Sequence, residues 1–337
     1  MQKLLVALLS LNLLSSSVRA DQKGFDLKET KGQYLDITCQ GKLLGRYMTS
    51  RDSALEKRHE ILKPYLDLYD AQGTDPITEG PPHPGIFIGY DKLRVNGKTY
   101  DLWHMKNGDQ IHQNFSSMKA NPESASFTSL VNWNDSNNTT LLAEDRTFTF
   151  LTPPAYAYIE VDMVSKLTAL AGDTQLDGQV KKAGIHFYAG NGMHVSQTVY
   201  VFPKKQADPH TDVDYPWVGE SFTLKGKEYS VVYLNDPSNP RNALFSDYGD
   251  SGRLGYFFKT TVAKGQTFIL HVRFLISEGE MPSAELIQKA YNDFAGRSDP
   301  VPEVTILKGQ AMNPPAATTS SSTTPTPATS TTNTVQP

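Results

Sequence analysis

The sequence predicts an all-β, mainly antiparallel protein: a large β-sandwich with one helix near its C-terminal end. Three observations carry this. Short stretches rich in β-branched and aromatic residues recur from about residue 21 to 308, each bounded by Gly, Pro, Asn or Asp. Tight hairpin turns are written into the chain at Asn96-Gly97 and Lys225-Gly226. Helical periodicity is confined to one clear segment, which argues for packed antiparallel sheets over a parallel α/β fold.

Taken in order, the first strand signal is Tyr34-Leu35-Asp36-Ile37-Thr38-Cys39, which alternates apolar and polar residues. A weak helical turn is read around Ala54 to Leu62. Further strands are expected at Gly85–Tyr90, Arg146–Phe150, Tyr156–Asp162, Tyr229–Val232 with Tyr233, and Thr267–Phe274. The helix is expected from Ser283 to Phe294. Ser283 can accept a hydrogen bond from the first turn, and Leu286, Ile287, Ala290, Tyr291 and Phe294 fall on one face. No repeat of fixed period suggests a propeller, and no Pro/Gly linker divides residues 21–308, so a single domain is expected.

The two ends read differently. Residues 1–20 have the parts of an export signal: Lys3, an apolar run from Leu4 to Leu14, and Val18-Arg19-Ala20 as a small-residue cleavage site. The apolar run is too short to cross a bilayer, which needs roughly 20 residues. A secreted or periplasmic protein without membrane insertion is therefore expected. Residues 309–337 are Thr, Ser, Pro and Ala with almost no large apolar side chain. Such a segment buries too little to offset its ordering entropy, so it reads as a disordered tail.

Cys39 is the sole cysteine, so no intramolecular disulfide can form and the core must hold by packing. Cys39 itself reads as a small apolar side chain of a strand. The net charge of −4, with both signs interspersed, leaves no basic stripe for nucleic acid or anionic lipid. The motifs of nucleotide binding and of the α/β-hydrolase elbow are absent.

Candidate chemistry gathers on histidines. His83, His104, His112 and His186 sit in turn-rich, aromatic-rich stretches, where sites are usually built on a β scaffold. Imidazole suits proton transfer near neutral pH, and Asp101 lies close to His104 in sequence. A divalent metal is the competing use of the same histidines, although no spacing is diagnostic of one. Glu144, Glu160, Asp145 and Asp162 lie on or beside predicted strands, and two facing carboxylates could act as acid and base on a glycosidic bond. Trp103, Trp133 and Trp217, with Tyr90, could offer faces for a sugar ring, with ordinary core packing as the bland alternative. Arg273 could orient or stabilise developing charge. Asn-x-Ser/Thr sequences at Asn114, Asn134, Asn137 and Asn138 suggest surface loops.

Several of these segments together resemble a known family. Lys63-Pro64-Tyr65-Leu66, Gly73, Pro81 to Tyr90, Asn96-Gly97 and Asp101-Leu102-Trp103 are similar to the bacterial secreted "methane oxygenase PmoA" domain family. So are Gly108 to His112, Leu141 to Glu144, Asp162 with Leu167, and Asp236-Pro237 with Asn239-Pro240. Where many members carry paired histidines, this chain has Pro82-His83. The resemblance implies a sandwich like that of galactose-mutarotase-like proteins and a link to carbohydrate catabolism. The family's name cannot be literal here, since a membrane oxygenase needs long apolar helices.

The expectation is thus a secreted protein with carbohydrate as its partner, acting by His and carboxylate acid–base chemistry of the glycosidase, lyase or epimerase type. A non-catalytic glycan-binding or matrix protein and a metal-dependent oxidoreductase are the alternatives.

Overall fold

The computed structural model describes residues 24–49, 63–78, 85–193, 197–245 and 252–309. The export signal, the helical turn at 54–62, His83 and nearly all of the C-terminal tail lie outside these residues.

Among the described residues every strand pairing is antiparallel, and two large sheets hold most of the strand residues. The first has eight strands, ordered Phe25–Thr30, Tyr34–Cys39, Lys42–Met48, Tyr65–Leu68, Gly85–Tyr90, Ala183–Tyr188, Arg253–Phe257 and Leu244–Phe245. The second has nine, ordered Thr305–Lys308, Val199–Phe202, Trp217–Leu224, Lys227–Asn235, Thr267–Glu278, Ile159–Ala169, Thr140–Leu151, Ser124–Asp135 and Gly108–Ala120. A small sheet of Thr260–Val262, Thr174–Leu176, Leu93–Val95 and Lys98–Tyr100 stands beside them. The expected β-rich class is therefore the observed one.

Period-two patterning decides which side chains fill the space between the large sheets. In Ser124–Asp135 the buried residues include Ala125, Phe127, Ser129, Val131 and Trp133, and in Ile159–Ala169 they are Ile159, Val161, Met163, Ser165, Leu167 and Ala169. These meet the first sheet directly. The Tyr47 hydroxyl donates to Ser129 Oγ at 3.0 Å, the Tyr233 and Tyr256 rings lie 4.8 Å apart, and Phe187 packs toward Phe274.

Both turns form as expected. Asn96 and Gly97 (φ 50° and 76°) join Leu93–Val95 to Lys98–Tyr100, and Lys225 and Gly226 (φ 51° and 79°) join Trp217–Leu224 to Lys227–Asn235. The Tyr156 strand begins later than expected. The Ala157 amide donates to the Pro154 carbonyl, making a turn that delays pairing until Ile159. Cys39 is half-buried at the end of its strand.

The helix spans Ala284–Ala295, with Ser283 Oγ accepting from the Leu286 amide and Gly296 closing it at φ 62°. It lies on the outer face of the nine-stranded sheet. Ile287 and Tyr291 pack with Trp217, Val232, Leu234 and Leu275, and the Trp217 indole donates to Gln288 Oε1 at 2.9 Å. Leu286, expected in this buried stripe, is 42% exposed. It faces the cleft described next.

Candidate active site

Of the histidines predicted to converge, His83 lies outside the described residues, and His104, His112 and His186 sit in separate surroundings. Among those described, His104 belongs to a turn: its Nδ1 lies 2.8 Å from Asp101 Oδ2, and Asp101 also accepts from the His104 and Trp103 amides. Burial works against the Asp101 carboxylate, yet these bonds from His104 and the charge of Lys106 hold it down at about 2. His112 points between the sheets, with Nδ1 2.7 Å from Ser129 Oγ, and burial and nearby Arg146 push it down to about 4. His186 is fully buried on the opposite face of the eight-stranded sheet. Its Nε2 donates to the Ala183 carbonyl at 2.8 Å and its ring lies 4.8 Å from that of Trp103. Burial lowers it to about 3, so the ring is neutral.

The expected carboxylate and aromatic partners are likewise structural. Glu144 is wholly buried and accepts from Trp133 Nε1 (2.8 Å), Ser165 Oγ (2.7 Å) and the Arg146 guanidinium (2.7 and 2.9 Å). Arg146 also donates to the Pro64 carbonyl and to Gln110 Oε1, so this polar knot ties the two sheets together. Trp133 and Tyr90 are buried against each other, and Trp103 is buried against Phe87 with the Lys63 ammonium nearby. None of the three offers an open face to a sugar, because the faces expected to stack on a ligand already stack on protein. Asn134, read as part of a surface loop, is buried at a strand end. No group of three His, Cys, Asp or Glu side chains among the described residues is arranged to hold a metal.

Arg273 is different. It lies on the outer face of the nine-stranded sheet, directly opposite Asp162 across the pairing of Thr267–Glu278 with Ile159–Ala169. Alternation sends Glu160 and Asp162 outward while Val161 and Met163 go to the core. The guanidinium reaches both carboxylates. Nε and Nη2 donate to Asp162 at 2.5 and 3.0 Å, and Nη1 lies 2.5 Å from Glu160 Oε1. Phe294 from the helix covers the guanidinium at 4.9 Å.

Two strand positions from Arg273, on the same face, stands His271. Its Nδ1 lies 2.8 Å from Asp236 Oδ2 and its Nε2 3.6 Å from Asp162 Oδ2. The turn that follows Lys227–Asn235 fixes this arrangement. Asp236 accepts from the Ser238 amide and hydroxyl, while Asn239 donates to the His271 carbonyl and accepts from its amide.

Of these groups, Glu160 and Arg273 border an open cleft of about 320 Å³. Glu160 and Arg273 form part of its floor, Pro153, Pro154 and Tyr156 one wall, and Leu286, Lys289 and Asp293 of the helix the other. The two carboxylates differ in acidity. Burial pushes Glu160 up; Arg273 draws it back down, and repulsion from Asp162 and Asp293 adds to the rise. Asp162 also suffers burial, but the nearby His271 and the hydrogen bonds from Arg273 bring it below the usual aspartate range. The same contacts raise His271 despite its own burial. One carboxyl that keeps its proton longer beside one that stays ionised is the arrangement acid–base chemistry needs.

A family model describes this segment: residues 34–292 match a family of unknown function, DUF6807. The chain belongs to that family. The match replaces the PmoA-domain resemblance read from the motifs, since the DUF6807 model accounts for the same stretch of chain. Sequence comparison with curated proteins finds no match. Among solved structures, the DUF6807 chain is similar to a heparan sulfate lyase HepC mutant from Pedobacter heparinus, with TM-score 0.38 and 9% identity. That likeness covers 77% of this chain and 36% of the lyase. A putative aldose 1-epimerase from Klebsiella pneumoniae is similar at TM-score 0.38 and 11% identity, over 86% of both chains. The Slr1438 protein from Synechocystis matches at TM-score 0.38 and 9% identity, covering 77% of this chain and 97% of that one. The DUF6807 chain thus spans about a third of the lyase's length.

Sequence reasoning named Arg273, Glu160 and Asp162 but passed over His271 and Asp236. The available signal was positional. His271 alternates with Arg273 on one strand face, and Asp236-Pro237-Ser238-Asn239-Pro240 is a turn dense in side-chain acceptors.

Proposed function

We propose that this protein is exported and cleaves glycosidic bonds at the Glu160–Asp162–Arg273 cleft. The observation that carries this is Glu160 on the lining of an open cleft, joined through the Arg273 guanidinium to Asp162, whose acidity is shifted the opposite way. Glu160, the more readily protonated, acts as general acid and gives its proton to the leaving glycosidic oxygen. Asp162 remains ionised and its negative charge stabilises the positive charge that develops at the sugar ring as the glycosidic bond breaks; water then adds at that carbon and its proton returns to the Glu160 carboxylate. Arg273 fixes the spacing of the two carboxylates. His271, held by Asp236, keeps Asp162 ionised as a positioning residue. Tyr156 supplies an aromatic wall for the apolar face of a pyranose ring.

The test is incubation of the purified protein with a panel of oligosaccharides, with products read by mass spectrometry. The reading expects hydrolysis of at least one class, reduced at least a hundredfold in Glu160→Gln. Unchanged turnover in both Glu160→Gln and Asp162→Asn overturns it.

A further inference from the structure

We propose that the ligand is a long neutral polysaccharide, which runs from the Glu160 cleft along a shallow trough on the outer face of the nine-stranded sheet. This rests on the carbohydrate reading above and adds the length and charge of the ligand. The trough follows from register. Asp162 pairs with Arg273 on one side and with Thr149 on the other, and Thr149 pairs with Ser126. One row of outward side chains therefore runs from the Arg273 fork across two further strands. The next row, two residues along each strand, runs from His271 through Val164 and Thr147 to Thr128, with Ser117 beyond. Past Asp162 and Val164, Ser126, Thr128, Thr147, Thr149 and Ser117 make a floor of short, partly exposed side chains. Longer ones rise on both sides. Asp145, Lys166 and Ile269 stand exposed in the following row, and Leu151 leads into the Pro153 wall of the cleft.

The chemistry of the floor selects the occupant. Ser126 and Thr149 share a hydrogen bond at 2.9 Å, as do Thr128 and Thr147. A hydroxyl has one donor and two acceptor lone pairs, so each bonded pair still offers one O–H and three lone pairs outward. Sugar hydroxyls, which both donate and accept, are the complement. Between Asp162 and Lys119 at the sheet edge this row carries no ionised group, so it holds no counter-charge for a polyanion. It also lacks the aromatic, Met and Arg side chains that protein interfaces gather. With neighbouring strands roughly 4.8 Å apart, the three intervals from Ile159–Ala169 to Gly108–Ala120 span about 14 Å. That leaves room for further units of the chain beyond the ring at the cleft.

Isothermal titration of the Glu160→Gln protein, chosen so that the ligand is not consumed, reads the length dependence directly. The probes are tetramers and octamers of neutral glucan, mannan, xylan, galactan and chitin, with a heparin octamer beside them. In the series that binds, the octamer is expected to bind at least tenfold more tightly than the tetramer, and heparin more weakly than that octamer. Thr128→Val with Thr149→Val removes one hydroxyl from each pair while keeping strand-favouring side chains, and should lower the octamer-to-tetramer ratio at least threefold. Thr147→Arg fills the floor and should erase the gain with length. Equal affinity for octamer and tetramer, tighter binding of heparin, or a ratio like the parent's in both variants overturns the inference. So does sedimentation as a dimer that Thr147→Arg dissociates, which would assign this face to a second copy of the chain. If a short glycan is cut in a Glu160-dependent way with no gain for length, this inference alone falls. If no glycan is bound or cut, the reading of the cleft as a carbohydrate site falls with it.

Discussion

Glu220 gives the sharpest prediction about stability. It lies on Trp217–Leu224, wholly buried, with Oε1 accepting from the Tyr200 hydroxyl at 3.0 Å and Oε2 without a partner among the described residues. Burial pushes its acidity from the ordinary 4.5 up to about 8, against the Tyr200 hydrogen bond and the charge of Arg253. The folded protein therefore holds a proton here that the unfolded chain releases above about 4.5. Stability from this group is fully present below 4.5 and is lost as pH rises through 8. At about 1.4 kcal/mol per pH unit, that interval amounts to about 5 kcal/mol. Glu220→Gln keeps the shape and the acceptor for Tyr200 but cannot ionise. Urea denaturation at several pH values between 4.5 and 9 should show the variant gaining on the parent by about 1.4 kcal/mol per unit, then levelling off. Two curves that run parallel across this range would refute the burial argument.

Other consequences follow from the same physics. Glu144→Ala leaves the buried Arg146 guanidinium without its carboxylate and should cost about 3–5 kcal/mol in urea denaturation, whereas replacing both by Met should cost much less than two separate losses. Asp236→Asn should lower the titration midpoint of His271, followed by NMR. Because the folded His271 is raised, the stability it lends is present at pH below the ordinary histidine value and fades as pH climbs through the folded one. Gly85→Ala places a side chain at φ 59°, overlapping the Leu66 carbonyl oxygen. It should destabilise by more than the roughly 1–2 kcal/mol that left-handed backbone costs an ordinary residue, seen as a lowered melting temperature.

How far the sequence reaches depends on the range of the interaction. Asn96-Gly97, Lys225-Gly226 and the Ser283 cap act within a few residues, so local chemistry dictates them and they form as read. Gly85–Tyr90 likewise matches its pattern from end to end. The site is a matter of register. Asp162 meets Arg273 because two strands 111 residues apart pair in one alignment, and no local pattern encodes that. The same distance problem misplaced Glu144, Trp133 and Tyr90. A carboxylate or an aromatic on an alternating strand reads identically whichever face turns inward, and here the inward face holds the Arg146 knot. His186 looked catalytic from its aromatic neighbours, but those neighbours bury it instead, while His104 is held in a turn by Asp101.

The opposed acidities of Glu160 and Asp162 are the centre of the functional reading, and carboxyl-carbon NMR titration of the folded protein measures them directly. The predicted result is Glu160 titrating above the ordinary glutamate range and Asp162 below the ordinary aspartate range, with Arg273→Gln drawing Asp162 upward. Two carboxyls titrating together at ordinary values would contradict the assignment of acid and stabilising base to this cleft.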